Sequence, residues 1–140
     1  MDRNVPILHV EDDPVDVANL QRACARLGIR NPLRPVPNGE EALDLLRGKD
    51  SDEREPRPGL ILLDLSMPVM SGLEFLREVK SDPVLRTIPT VVLTASNHES
   101  DRRQAYELGA AGYIVKSIDL DRFIEAVGVI ERYWALCEIP

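Results

Sequence analysis

Cysteine is scarce: Cys24 and Cys137 are the whole supply, and no C-x-x-C pair occurs. Their spacing fits no metal site, so both read as free thiols in a reducing compartment. Positive charge is also short, with 17 Lys+Arg against 24 Asp+Glu and a net charge of -7. Such a surface repels nucleic acid and anionic membranes, and neither is an expected partner. Long apolar runs are missing as well. The N-terminal "MDRNVPILHVEDD" is acidic with one short apolar stretch, unlike a signal peptide, and no run approaches transmembrane length. A cytoplasmic protein is expected. The 140 residues show no internal repeat and fit one domain with one real core.

What the sequence does contain is five short apolar runs, "VPILHV" (5–10), "PLRPVP" (32–37), "LILLDL" (60–65), "TVVLTA" (90–95) and "GYIVK" (112–116). The first, third and fourth are nearly unbroken in Val, Ile and Leu, as expected of parallel strands covered on both faces. The second is interrupted by proline and reads as an edge strand. Helical patterns lie between and after them. Val17, Leu20, Cys24 and Leu27 recur behind Asp13 (cap), Pro14 (first turn) and Gly28 (stop). Asn38 with Glu41, and Ser71 with Glu74, open two more helices in capping-box fashion. A polar helix ends at Gly109, and a long one carries Phe123, Ile124, Val127, Ile130 and Trp134 on one stripe. Five strand–helix units in alternation predict an α/β fold, a parallel sheet with helices on both faces. The segment 48–59 lacks periodicity and reads as a solvated loop.

"LILLDLSMP" raises the functional question. A strand of four apolar residues delivers a carboxylate, Asp64, at its end, and "ILHVEDD" does the same with Glu11, Asp12 and Asp13. The fourth strand ends in Thr94, with Ser96 nearby, and the fifth in Lys116. In open α/β sheets ligands bind beyond the carboxyl ends of the strands. Crowded carboxylates raise one another's pKa, and a bound divalent cation relieves that. Oxygen-only ligands select Mg²⁺ or Mn²⁺ rather than zinc. A cation with open positions, a lysine and a hydroxyl together describe a phosphoryl site. Asp64, on the central strand, is its natural nucleophile.

The ordered motifs "ILHVEDD", "LILLDLSMPVMSG", "VVLTAS" and "GAAGYIVK" resemble a bacterial response-regulator receiver domain over nearly the whole chain. The resemblance implies a flavodoxin-like, doubly wound (βα)5 fold, with strand order 2-1-3-4-5 and five flanking helices. It implies one receiver over residues 1–140 with no output domain. Asp64 would be the phosphoacceptor in two-component signalling, Asp12 a direct Mg²⁺ ligand, Glu11 a ligand through water, and the Ser66 backbone carbonyl a further ligand. Thr94 would be the switch hydroxyl, Lys116 the phosphate-contacting lysine and Tyr113 the aromatic switch that turns inward on activation. The chemistry would be confined to the domain's own phosphorylation and dephosphorylation, with Ser66 and Ser96 flanking the site. "VEDDPVD", the 48–59 loop, "DPVLRTIPTVVLTAS" and "IERYW" resemble regulators paired with bacterial phytochrome histidine kinases. A sensor histidine kinase is the implied partner. A homodimer through the helix 4–strand 5–helix 5 face and the C-terminal tail is the implied assembly.

Two departures from the family stand out. Ser117 replaces the usual proline after the lysine; a cis bond there would cost roughly 3 kcal/mol, so a trans bond and a differently shaped loop are expected. Ser71 stands where "DG" is common and still caps a helix. Of the remaining residues, Asp13 reads as mainly a cap, His9 as a core histidine and His98 as an exposed loop residue. Trp134 continues the core stripe, and Tyr133 is the better interface residue. Two other functions fit less well. A haloacid-dehalogenase-type phosphohydrolase needs a second acid two residues after the nucleophile, where Ser66 stands. A receiver-like adaptor that is never phosphorylated leaves the full acid set, Thr94 and Lys116 without a purpose.

Overall fold

A computed structural model describes residues 4–48, 57–116 and 119–138. The expected loop at 48–59 and the Lys116–Ser117 bond fall largely or wholly outside those residues. The elements alternate without exception: β1 (Ile7–Val10), α1 (Pro14–Arg26), β2 (Leu33–Val36), α2 (Gly39–Arg47), β3 (Leu60–Leu63), α3 (Gly72–Ser81), β4 (Thr90–Thr94), α4 (Glu99–Glu107), β5 (Gly112–Val115) and α5 (Leu120–Leu136). The strands pair in parallel in the order β2-β1-β3-β4-β5.

The unbroken apolar strands do what their composition demands. Every residue of β1, β3 and β4 is buried, because helices cover both faces of a parallel sheet. Side chains alternate between those faces. Leu8, Val10, Ile61, Leu63 and Val92 join one core with Ala42 and Leu43 of α2, Phe75, Leu76 and Val79 of α3, and Ala105 of α4. Ile7, Leu60, Leu62, Val91 and Leu93 join the other with Leu20, Ala23 and Cys24 of α1 and Phe123, Val127 and Trp134 of α5. The strand order reverses beside β1, which puts α1 on the opposite face from α2, α3 and α4. β2 is an edge strand with two exposed residues, Arg34 and Pro35, as its broken pattern predicts.

Local signals set the helix ends. Asp13, Asn38 and Ser71 each accept a backbone N–H, from Val15 at 2.9 Å, Glu41 at 2.9 Å and Glu74 at 3.3 Å. Gly28 and Gly48 end α1 and α2 with positive φ. Leu27 departs from the expected core stripe: it is the C-cap of α1 and is exposed. Cys24 is buried and free, and burial pushes its thiol up to about 11. Trp134 is buried, Tyr133 is 68 % exposed, and His98 is exposed at the start of α4, as expected. Among the described residues no helix is long and apolar enough to cross a membrane.

Candidate functional site

The carboxyl edge of the sheet is built by the last rungs of its ladders. The Glu11 amide donates to Val36 O at 2.9 Å, the Asp64 amide to Val10 O at 3.0 Å, and the Lys116 amide to Thr94 O at 2.7 Å. Each residue lies one step past its own strand and is pinned to the neighbouring one. The side chains expected from sequence therefore converge. Glu11 and Asp64 are buried and Asp12 is exposed, and one carboxylate oxygen from each lies within 4.8 Å of the other two. Thr94 is fully buried, and its hydroxyl donates to Asp64 Oδ1 at 2.7 Å. The Ser66 amide also points at Asp64 Oδ1, at 3.4 Å. Asp13 turns away to cap α1, as expected.

Lys116 is the counter-charge. Its ammonium contacts Glu11, donates to Asp16 Oδ2 at 2.8 Å and stands 3.6 Å from Asp64 Oδ2. Burial pulls that ammonium down. Hydrogen bonds to Asp16 and Glu11, with the charge of Asp64, outweigh burial and hold it above the usual lysine value. Burial pushes the Glu11 carboxyl up to about 8; Lys116 draws it back and Asp64 adds to the rise. A carboxyl under that strain is a natural acceptor for a cation. Three hard oxygen donors with one exposed member leave room for waters or substrate on the same ion.

The loop behind Asp64 needs two special backbones. Gly72 approaches so closely that a Cβ there would lie 2.3 Å from Asp64 O, so only glycine fits. Val69 adopts a positive φ of 69°, rare for a β-branched residue, with its side chain 76 % exposed.

Tyr113 lies on β5, two strands from Asp64. Its ring packs on the Phe75 core, and its hydroxyl donates to Ser96 O at 2.9 Å. The expected switch residue is thus already turned inward. Ser96 in turn donates from Oγ to Asp101 Oδ2 at 2.5 Å, which ties the loop after β4 to α4. Sequence reasoning missed Asp16 and Asp101. An acid in the first turn of a helix reads as a dipole partner. The available signal for Asp16 was its place in the first turn of a helix that starts at the acidic edge.

A family model for the response regulator receiver domain matches residues 7–128. The response regulator Rcp1 of Synechocystis sp. is 39% identical over 128 residues, covering 91% of this chain and 87% of that protein. The phosphorylated cyanobacterial phytochrome response regulator RcpA superposes with a TM-score of 0.91 at 38% identity, covering 98% of this chain and 99% of that one. The Mn²⁺-bound form of Rcp1 gives 0.89 at 37% identity, covering 97% and 99%.

Proposed function

This chain belongs to the response-regulator receiver family of two-component signalling, and on that premise we propose that Asp64 accepts a phosphoryl group from a sensor histidine kinase. The observation that carries the reading is the Asp64 carboxylate itself, buried yet flanked by the Thr94 hydroxyl at 2.7 Å and the Lys116 ammonium at 3.6 Å. In the transfer an Asp64 oxygen forms a bond to phosphorus. The bond from phosphorus to the kinase histidine breaks, and its electron pair stays on the imidazole. Thr94 and Lys116 then hold the non-bridging oxygens, and these contacts, absent before transfer, bias the conformational equilibrium.

Asp12, Asp64 and Glu11 are the residues that would hold Mg²⁺ or Mn²⁺, with the Ser66 carbonyl as a backbone ligand. When bound, the cation neutralises phosphoryl oxygens and the carboxylates that surround them. The Mn²⁺-bound form of Rcp1 supports a divalent cation in this family's fold. The chemistry is confined to the protein's own Asp64. The phytochrome and bacteriophytochrome response regulators among the similar structures support a phytochrome-type kinase as donor, and the net charge of -7 favours a protein partner in the cytoplasm over nucleic acid.

The output face is α4–β5–α5, where Tyr113 and Ser96 meet. Val115, Val129, Tyr133 and Leu136 are exposed there, which supports a homodimer through this face and the end of α5. A Tyr133→Asp variant that is monomeric by sedimentation beside a dimeric wild type is the expected result.

Intact mass after incubation with acetyl phosphate tests the central reading. One phosphoryl adduct should form with Mg²⁺, and none without Mg²⁺ or in Asp64→Asn. A folded wild type that gains no adduct from acetyl phosphate or from a cognate kinase would leave the unphosphorylated adaptor as the better reading.

A further inference from the structure

We infer that Asp16 is a positioning residue for phosphoryl transfer, holding the Lys116 ammonium in place beside Asp64. The inference rests on Asp64 being the phosphoacceptor. Lys116 has three N–H donors and three carboxylates around it. Glu11 and Asp64 belong, together with Asp12, to the triad in which one carboxylate oxygen from each falls within 4.8 Å of the other two. A cation seated among those three competes with Lys116 for them. Asp16 stands outside the triad, so its 2.8 Å bond to Lys116 Nζ survives metal binding. One donor stays on Asp16, and the others remain directed at the site where the phosphoryl oxygens arrive.

The anchor is stiff. Asp16 sits in the first turn of α1, which Asp13 caps and which Leu20, Ala23 and Cys24 fix against the sheet. Lys116 itself follows β5, and its amide is bonded to Thr94. The bond thus joins α1 to the end of the sheet's last strand, 100 residues apart in sequence. It faces a cavity of about 170 Å³ lined by His9, Asn19, Leu93 and Phe123 as well as the pair itself. Asp16 is about one-third exposed and Lys116 about one-eighth. Solvent therefore screens the pair mainly from the Asp16 side.

The test is the initial rate of Asp64 phosphorylation by acetyl phosphate at saturating Mg²⁺. In that reaction an Asp64 oxygen bonds to phosphorus and acetate leaves with the electron pair. Asp16→Asn keeps the shape and removes the charge. It should slow the reaction about tenfold, the scale on which groups that orient a reacting residue act, while Asp16→Glu should recover most of the rate. The discriminating measurement is the double variant. In a Lys116→Ala background Asp16→Asn should change the rate by less than about twofold, because the residue it positions is gone. An Asp16→Asn rate equal to wild type overturns the inference, and so does an equal slowing in both backgrounds. If wild type and Asp64→Asn alike gain no adduct from acetyl phosphate or from a cognate kinase, the phosphoacceptor reading fails and this one falls with it.

Discussion

Thr94 and Asp64 are joined by a 2.7 Å hydrogen bond between two buried groups, the hydroxyl donating to Oδ1. The same hydroxyl is the one proposed to follow the phosphoryl group. Before transfer it satisfies the carboxylate, so its movement exchanges one charge-assisted bond for another. Thr94→Val keeps the shape and removes the donor. With the Asp64 oxygen short of a partner, stability should fall by about 1–2 kcal/mol, read as a lower urea midpoint at unchanged slope. The variant should still accept phosphate on Asp64, because its nucleophile and lysine are intact.

Metal dependence follows from the crowding. Glu11, Asp12 and Asp64 share one edge with Lys116 as their nearby cation. Mg²⁺ should raise the melting temperature, equivalent to about 2.7 kcal/mol at a hundredfold excess over its dissociation constant. Asp12→Asn should abolish that rise. Without Mg²⁺, Asp12→Asn should be at least as stable as wild type, since it removes one of the repelling charges. A destabilised Asp12→Asn in EDTA would contradict this account.

How much of this was legible in the sequence follows from where polarity is expected. Asp64 and Glu11 stand out because they follow strands that are mostly apolar, and a core has no use for a carboxylate. Lys116 is legible for the same reason, after "GYIV". Thr94 is legible only beside them, since threonine is common in strands. His9 and Trp134 are buried and Tyr133 is exposed, as their positions along strand and helix predict. Asp16 was hidden because it is one of several acids near a helix N-terminus, and its partner is 100 residues away. Asp101 was hidden likewise, in a polar helix whose pattern does not say which acid turns back to Ser96. Tyr113 was legible as a residue but not in its inward state, which depends on a carbonyl of the loop after β4.

His9 gives the pH dependence a definite sign. Burial comes first among the causes that lower its pKa from 6.5 to about 4, followed by the charge of Lys116; Asp16 and Asp64 oppose them. The folded state therefore prefers the neutral ring. Its contribution is fully present above pH 6.5 and is lost as pH falls towards 4, because the unfolded chain binds the proton first. The loss amounts to roughly 3 kcal/mol at most. Glu11, raised by burial to about 8, acts in the opposite direction, losing stability as pH rises from 4.5 to 8. Comparing His9→Gln with wild type cancels the Glu11 part. Between pH 6.5 and 4 the variant's urea midpoint should fall less than that of wild type.

Val69 offers a test of the loop that follows Asp64. A φ of 69° in a β-branched residue costs about 1–2 kcal/mol, and the side chain is 76 % exposed, so little packing offsets that cost. Glycine takes the same backbone freely but loses more entropy on folding, by roughly 0.5–1 kcal/mol. Val69→Gly should therefore stabilise the protein by up to about 1 kcal/mol. Strain kept at an exposed position beside an acidic site has a use only if the loop must hold one shape there. Gly72 shows the same demand, since its backbone lies against Asp64 O with no room for a side chain. If the strained turn serves to seat the Ser66 carbonyl on the cation, Val69→Gly should be more stable yet bind Mg²⁺ more weakly. An unchanged Mg²⁺ affinity, measured by calorimetry alongside the gain in stability, would make the turn a matter of loop path alone.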